Sequence, residues 1–293
     1  MFCLCFLAFA ACQKSEPSDG YGNFEATEII VSSEASGKLE MLNAEEGSHM
    51  AVGSVAAVID TTQLHFTRSQ LQAERQSLAA KRPSLFARIG VLQEERRNLK
   101  RDDERYRRLV NEGAVPSKQL ETIQNGIAVL DRQIRSLETE NPGIGGEIRA
   151  KEARIRQLDD QIKKSVVRNP VDGIVLTRYG EKGELTAYGK PLYKIADLQT
   201  MFLRVYLSGA QVPKVRIGEE VEVLIDGDKA ADRSRKGKVT WISAKAEFTP
   251  KIIQTREDRV NMVYAVKVQV NNLDGRLKIG MPGEMRLLGK RGS

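Results

Sequence analysis

The chain has 293 residues, enough for two ordinary domains, and its 41% hydrophobic and 29% charged residues describe a water-facing protein able to bury a core. With two histidines, His49 and His65, and 5% aromatics, it has little raw material for a metal centre or a general-base cluster, so neither an enzyme nor a cofactor is expected. The net charge of +7 comes from Arg and Lys interleaved with Asp and Glu over most of the chain, which describes a mixed solvated surface and no nucleic-acid partner.

All three cysteines, Cys3, Cys5 and Cys12, fall in the first twelve residues. Phe2 to Ala11 form an apolar run that closes on Ala10-Ala11 before Cys12, followed by the polar segment Gln13 to Gly20. The run is too short to span a bilayer and reads as a secretory apolar region. It resembles a bacterial lipoprotein signal, which implies cleavage before Cys12 and a lipid on that residue; an uncleaved apolar stub is the alternative. An acyl chain contributes about 0.8 kcal/mol of membrane binding per buried methylene.

Residues 24 to 60 alternate β-branched runs with glycine turns: Glu28-Ile29-Ile30-Val31, Gly37-Lys38-Leu39-Glu40-Met41-Leu42, Glu46-Gly47 and Val52-Gly53. A block from Val166 to Leu207 repeats this grammar in Asn169-Pro170-Val171-Asp172-Gly173, Gly183-Glu184 and Gly189-Lys190-Pro191-Leu192-Tyr193. Neither block closes a core alone. Each buries its apolar face against the other, which predicts one domain assembled around a long insertion.

That insertion, about Thr61 to Ser165, is helical by periodicity. Leu64, Leu71, Leu78, Leu85, Leu92, Leu99 and Tyr106 recur every seventh residue in its first half. In the second half Leu120, Ile127, Ile134, Ile148, Ile155 and Ile162 hold one heptad position, and Ile123, Leu130, Leu137, Ile144 and Leu158 the other. Between them, Asn111 to Ser117 supplies a helix stop, a proline and a Ser117 N-cap, so the chain folds into an antiparallel hairpin. Arms of about fifty residues project roughly 75 Å at about 1.5 Å per residue. Arg82-Pro83 and Asn141-Pro142-Gly143 predict a kink in each arm. Arg68, Arg75, Arg82 and Arg96 occupy the first arm's second heptad position. Their stems pack along the seam with heads in water, or their charges lie between neighbouring copies.

From Thr200 onward five alternating stretches, 201–207, 220–225, 237–242, 264–270 and 283–288, predict a small antiparallel barrel, with the single Trp241 in its core. The fold class is thus mixed α and β and elongated: a split lipoyl-like β-sandwich, a long coiled-coil α-hairpin and a β-barrel. The boundaries run 1–23 (signal and tether), 24–61 (first lipoyl-like half), 62–165 (hairpin, tip about 110–117), 166–199 (second half), 200–288 (barrel) and 289–293 (tail).

These two glycine-punctuated blocks, the hairpin between them and the barrel after them resemble the periplasmic adaptors, or membrane fusion proteins, of the haemolysin-secretion type. The segments Ala246 to Pro250, Arg256 to Ala265 and Asp274 to Gly283 resemble the branch that works with ABC-type exporters. The resemblance implies an adaptor that assembles into a ring of six copies in the periplasm of a Gram-negative bacterium. It would be anchored to the inner membrane by its lipid, dock on an inner-membrane permease and ATPase, and meet an outer-membrane channel at the hairpin tip. Family members carry Arg, Leu and Ser near that tip. Arg105 and Leu109 fall at the matching spacing, whereas Pro116 takes the serine's place and Ser117 follows one residue late. With only Gly289 to Ser293 after the last barrel stretch, no counterpart of the family's membrane-proximal domain is expected in this sequence.

Two rival readings remain. A lipoyl or biotin carrier needs an acceptor lysine where this chain has Asp60-Thr61-Thr62, and an envelope-anchored coiled-coil scaffold would not need a split β-domain. No glycine-rich phosphate loop with its Lys-Ser/Thr pair occurs, so any ATP hydrolysis belongs to another chain.

Overall fold

The computed structural model describes residues 18–225, 234–248 and 262–288. Two four-stranded antiparallel sheets form the lipoyl-like sandwich. The first orders its strands Glu28–Ser32, Pro191–Ala196, Gly173–Arg178 and His49–Met50; the second orders them Val166–Arg168, Val55–Ile59, Gly37–Leu42 and Leu185–Thr186. Each sheet takes two strands from before the hairpin and two from after it. Neither sequence block can therefore satisfy its backbone without the other, as the split grammar predicts.

Leu39, Ile59, Leu192, Tyr193, Ile195 and Val175 fill the space between these sheets. Asn169 is buried among them and ties the halves together. Its Nδ2 donates to the carbonyls of Met50 (3.0 Å), Ala51 (3.1 Å) and Val171 (2.5 Å), while Oδ1 accepts from the Tyr193 hydroxyl at 3.1 Å.

Helix α1, Thr62–Asn111, forms the first arm; α2, Ser117–Glu138, and α3, Glu140–Lys164, form the second. The carboxylate of Asp60 accepts the Thr62 backbone N–H at 2.8 Å, covering one open donor of the first turn. Hydrogen bonds from the Thr62 side chain and then its backbone hold this carboxyl below the usual carboxylate range.

The heptad residues behave as the pattern predicts. Leu85, Ile89, Ile134 and Leu137 form a buried cluster, with Leu92 and Ile144 packed against it. The arginines at the other position pair across the hairpin: Arg68 with Asp159 (2.7 Å), Arg75 with Glu152 (3.9 Å) and Arg96 with Asp131 (2.7 Å). Arg82 fits the same series opposite Gly145 and donates to Asn141 at 3.0 Å. Each step of seven up α1 is matched by a step of seven down the second arm, so one register holds through the α2–α3 break. These heads are therefore engaged within the hairpin.

The two proline sites differ. α1 runs continuously through Pro83, while the second arm breaks at Thr139, leaving Pro142 in the first turn of α3 where a missing N–H costs little.

Six strands close the barrel: Thr200–Ser208, Gly20–Glu25, Pro282–Leu287, Glu220–Leu224, Ser234–Ile242 and Met262–Asn271, which returns to pair with Thr200–Ser208 from Thr200↔Asn271 to Ser208↔Val263. The sixth strand, Gly20–Glu25, begins inside the stretch read from sequence as a tether. It inserts Phe24 into a core with Leu203, Val223, Val268 and Met285. Gly22 lets it pass Arg204 closely, for a Cβ there would lie 1.7 Å from the Arg204 carbonyl oxygen. Trp241 is not a core residue. A bulge between Val239 and Trp241 shifts the alternation and turns the indole outward, 40% exposed.

Candidate functional site

The hairpin tip is built by a helix end that the sequence specifies tightly. Gly113 adopts φ +70° after α1, and its N–H donates to the Val110 carbonyl at 3.0 Å, while the Ala114 N–H donates to Leu109 at 2.8 Å. This left-handed stop satisfies two open carbonyls and reverses the chain within five residues. Ser117 is not the N-cap. Pro116 holds that position, and Ser117 is the first helical residue with no capping bond from its side chain.

Arg105 and Leu109 are one helical turn apart and share a face of α1 within its last two turns. Arg105 is exposed, with its guanidinium 2.8 Å from Asp102 and stacked near the Tyr106 ring at 5.6 Å. Leu109 is half-buried and Ser117 exposed. The structure thus gathers Arg105, Leu109 and Ser117 in the terminal turns of the hairpin. Asp103 links the two arms just below the tip: it accepts from Arg107 at 2.8 Å and, across the hairpin, from Gln124 at 3.1 Å. The proposed lipid-bearing Cys12 lies outside the described residues, as do 226–233 and 249–261.

At the barrel's inner end, where its strands connect to the lipoyl-like sandwich, a cleft of about 250 Å³ is lined by His49, Asp172, Gln199, Asn272, Leu273 and Lys278. His49 Nε2 lies 2.6 Å from Asp172 Oδ1. Buried Asn272 donates to the carbonyls of Leu198 (2.8 Å) and Leu277 (3.1 Å) and accepts the Leu277 N–H at 2.9 Å, fixing the loop that meets the sandwich. Among the described residues no group of three or more His, Cys, Asp or Glu is arranged to hold a metal, and no helix is long and apolar enough to cross a membrane.

The long hairpin rising from a sandwich whose sheets mix strands from both sides, with a six-stranded barrel beyond it, recurs in solved structures. The crystal structure of MacA from Actinobacillus actinomycetemcomitans superimposes with a TM-score of 0.57 at 19% identity, covering 91% of this chain and 76% of that one. The periplasmic adaptor protein EmrA gives 0.50 at 19% identity, covering 92% and 98%. The chain has the fold of the periplasmic adaptor proteins. A chimera of MacA carrying the MexA α-hairpin of Pseudomonas aeruginosa fits this adaptor fold equally, at a TM-score of 0.56.

No protein-family model matches the chain. Among curated proteins it is 37% identical over 113 residues to the UPF0194 membrane protein in the asrC 5′ region of Acidithiobacillus ferridurans, covering 39% of this chain and 33% of that one. It is 30% identical over 125 residues to a UPF0194 membrane protein of Yersinia pseudotuberculosis, covering 43% and 38%. The matches thus span only 33% and 38% of those relatives' lengths.

Proposed function

We propose that this chain is the periplasmic adaptor subunit of a tripartite efflux or secretion system, linking an inner-membrane transporter of the ABC type to an outer-membrane channel. The observation that carries this reading is the split sandwich: a β-domain assembled from both sides of a hairpin holds the two arm bases together and projects their tip roughly 75 Å away. An adaptor of this kind is not an enzyme. Its work is to hold partners at fixed separations, with transport energy supplied by another chain.

In this reading a lipid on Cys12 tethers the chain to the inner membrane, the sandwich and barrel meet the transporter, and six copies surround the exported substrate. Arg105 and Leu109 present one exposed cation and one apolar side chain on the tip face that meets the channel, with Ser117 beside them on the returning helix. Reach is the property to test. Deleting residues 69–75 and 152–158 together removes one matched heptad from each arm and keeps Arg68 opposite Asp159. The shortened protein is expected to fold and to lose export; retained export would contradict the reading.

A further inference from the structure

The barrel has two ends of different character. At one end lie its connections to the sandwich. At the other lie the entry at Gly20, the ends of Thr200–Ser208 and Ser234–Ile242, the start of Met262–Asn271 and the exit after Leu287.

Seven large apolar side chains of the barrel are exposed among the described residues, and they sort by end. Leu273 and Ile279 belong to the loop on the sandwich side. Tyr21, Ile217, Trp241, Met262 and Leu288 all lie at the outer end, with exposures between 40% and 67%. Ile217 tops a loop that also exposes Lys214 and Arg216. Apolar and aromatic tips flanked by cations match the interfacial layer of a bilayer, where indole and phenol rings find both an apolar and a wet side.

The length of chain leading to this end selects the occupant. Only five residues, Gln13 to Pro17, separate Cys12 from Ser18, so the rim can stand no more than about 20 Å from the group that carries the tether. That gap is shorter than the roughly 30 Å diameter of a small folded domain. A protein partner of that size does not fit beneath the rim while the tether is in the membrane.

We infer that the outer rim of the barrel, marked by Tyr21, Ile217, Trp241, Met262 and Leu288, rests in the headgroup layer of a phospholipid bilayer. The inference rests on the tether reading above. It gives the barrel a membrane footing of its own, with the hairpin directed away from the lipid.

Trp241 is the sole tryptophan and so reports on this rim directly. The full chain, with its N-terminal segment, is reconstituted into phosphatidylcholine–phosphatidylglycerol vesicles whose acyl chains are brominated at shallow or deep positions. The protein is expected to float with the vesicles, and shallow bromines to quench Trp241 at least twofold more than deep ones. The I217E/M262E variant, altered at two exposed positions, is expected to float equally while losing most of that quenching. Flotation without quenching at either depth would overturn the inference, leave the tether reading standing and assign the rim to a protein partner. Failure to float would remove the tether reading and the inference with it.

Discussion

The Tyr193 hydroxyl donates to Oδ1 of Asn169 across 3.1 Å in the middle of the lipoyl-like sandwich, joining the strand Pro191–Ala196 of the second block, through Asn169, to carbonyls of the first. Both side chains are almost fully buried, so their polar atoms depend on each other and on the Met50, Ala51 and Val171 carbonyls. Replacing Asn169 with Ala leaves several buried groups unpaired, at about 1–3 kcal/mol per group. N169A is expected to lower the urea midpoint of the β-domain clearly, and Tyr193→Phe by less, about 1 kcal/mol. Equal midpoints for N169A and the parent would show that the halves are held by apolar packing alone.

Burial also pushes the Tyr193 phenol up to about 12. An unfolded tyrosine ionises near pH 10, so the folded state holds its proton longer. The group's contribution to stability is complete below pH 10 and is lost as pH rises toward 12. Phenolate absorbance at 295 nm is expected to show one tyrosine titrating last, together with loss of β-structure; in Y193F that late step disappears.

The hairpin responds at the opposite end of the pH scale. A hydrogen bond from Arg96 holds the Asp131 carboxyl below its ordinary value, and one from Lys151 does the same for Glu74. Carboxylates with depressed folded values stabilise the native state above the unfolded pKa, near 4, and lose that contribution as pH falls through the folded value. The hairpin's thermal transition, followed by circular dichroism at 222 nm, is expected at lower temperature at pH 3 than at pH 7. Asp131→Asn should reduce that difference, and a transition indifferent to pH would show these ion pairs across the hairpin to be energetically silent.

Gly22 tests the closure of the barrel. An alanine there places its Cβ against the Arg204 carbonyl, and the flanking strands cannot both keep their register. G22A is expected to cost on the order of 3 kcal/mol or more. The shift should appear in thermal unfolding followed by Trp241 fluorescence, with the 222 nm hairpin signal less affected; an unshifted transition would mean that Gly20–Glu25 is not needed for closure.

The hairpin and the split sandwich were legible because both rest on periodic signals. A heptad that never slips from Leu64 to Tyr106 fixes a seam, and two incomplete β-blocks flanking the hairpin have only each other to bury against. The arginine series was visible, yet its partners were not, since pairing Arg96 with Asp131 requires the hairpin's register, which only the Gly113 turn and the seam together define. The sixth barrel strand is hidden in the sequence because Gly20-Tyr21-Gly22-Asn23 carries two glycines and looks like linker, though Gly22 is there to let two strands approach. Simple alternation places Trp241 inward, which a one-residue bulge reverses. Ser117 has the right residue type for a cap, but Pro116 already holds the cap position. For Arg105 and Leu109 the docking role is an expectation of the resemblance alone, since their local pattern is that of ordinary coiled coil.

The most direct test of the adaptor reading is recovery of the tagged full-length chain from cross-linked, detergent-solubilised envelopes, with mass spectrometry of what accompanies it. The account predicts an ABC-type permease with its ATPase, together with an outer-membrane channel whose recovery falls at least fivefold in the R105A/L109A variant while the permease is retained. Recovery of the chain alone, after cross-linking and at normal expression, would contradict it and favour an envelope scaffold that has the adaptor fold without the pump.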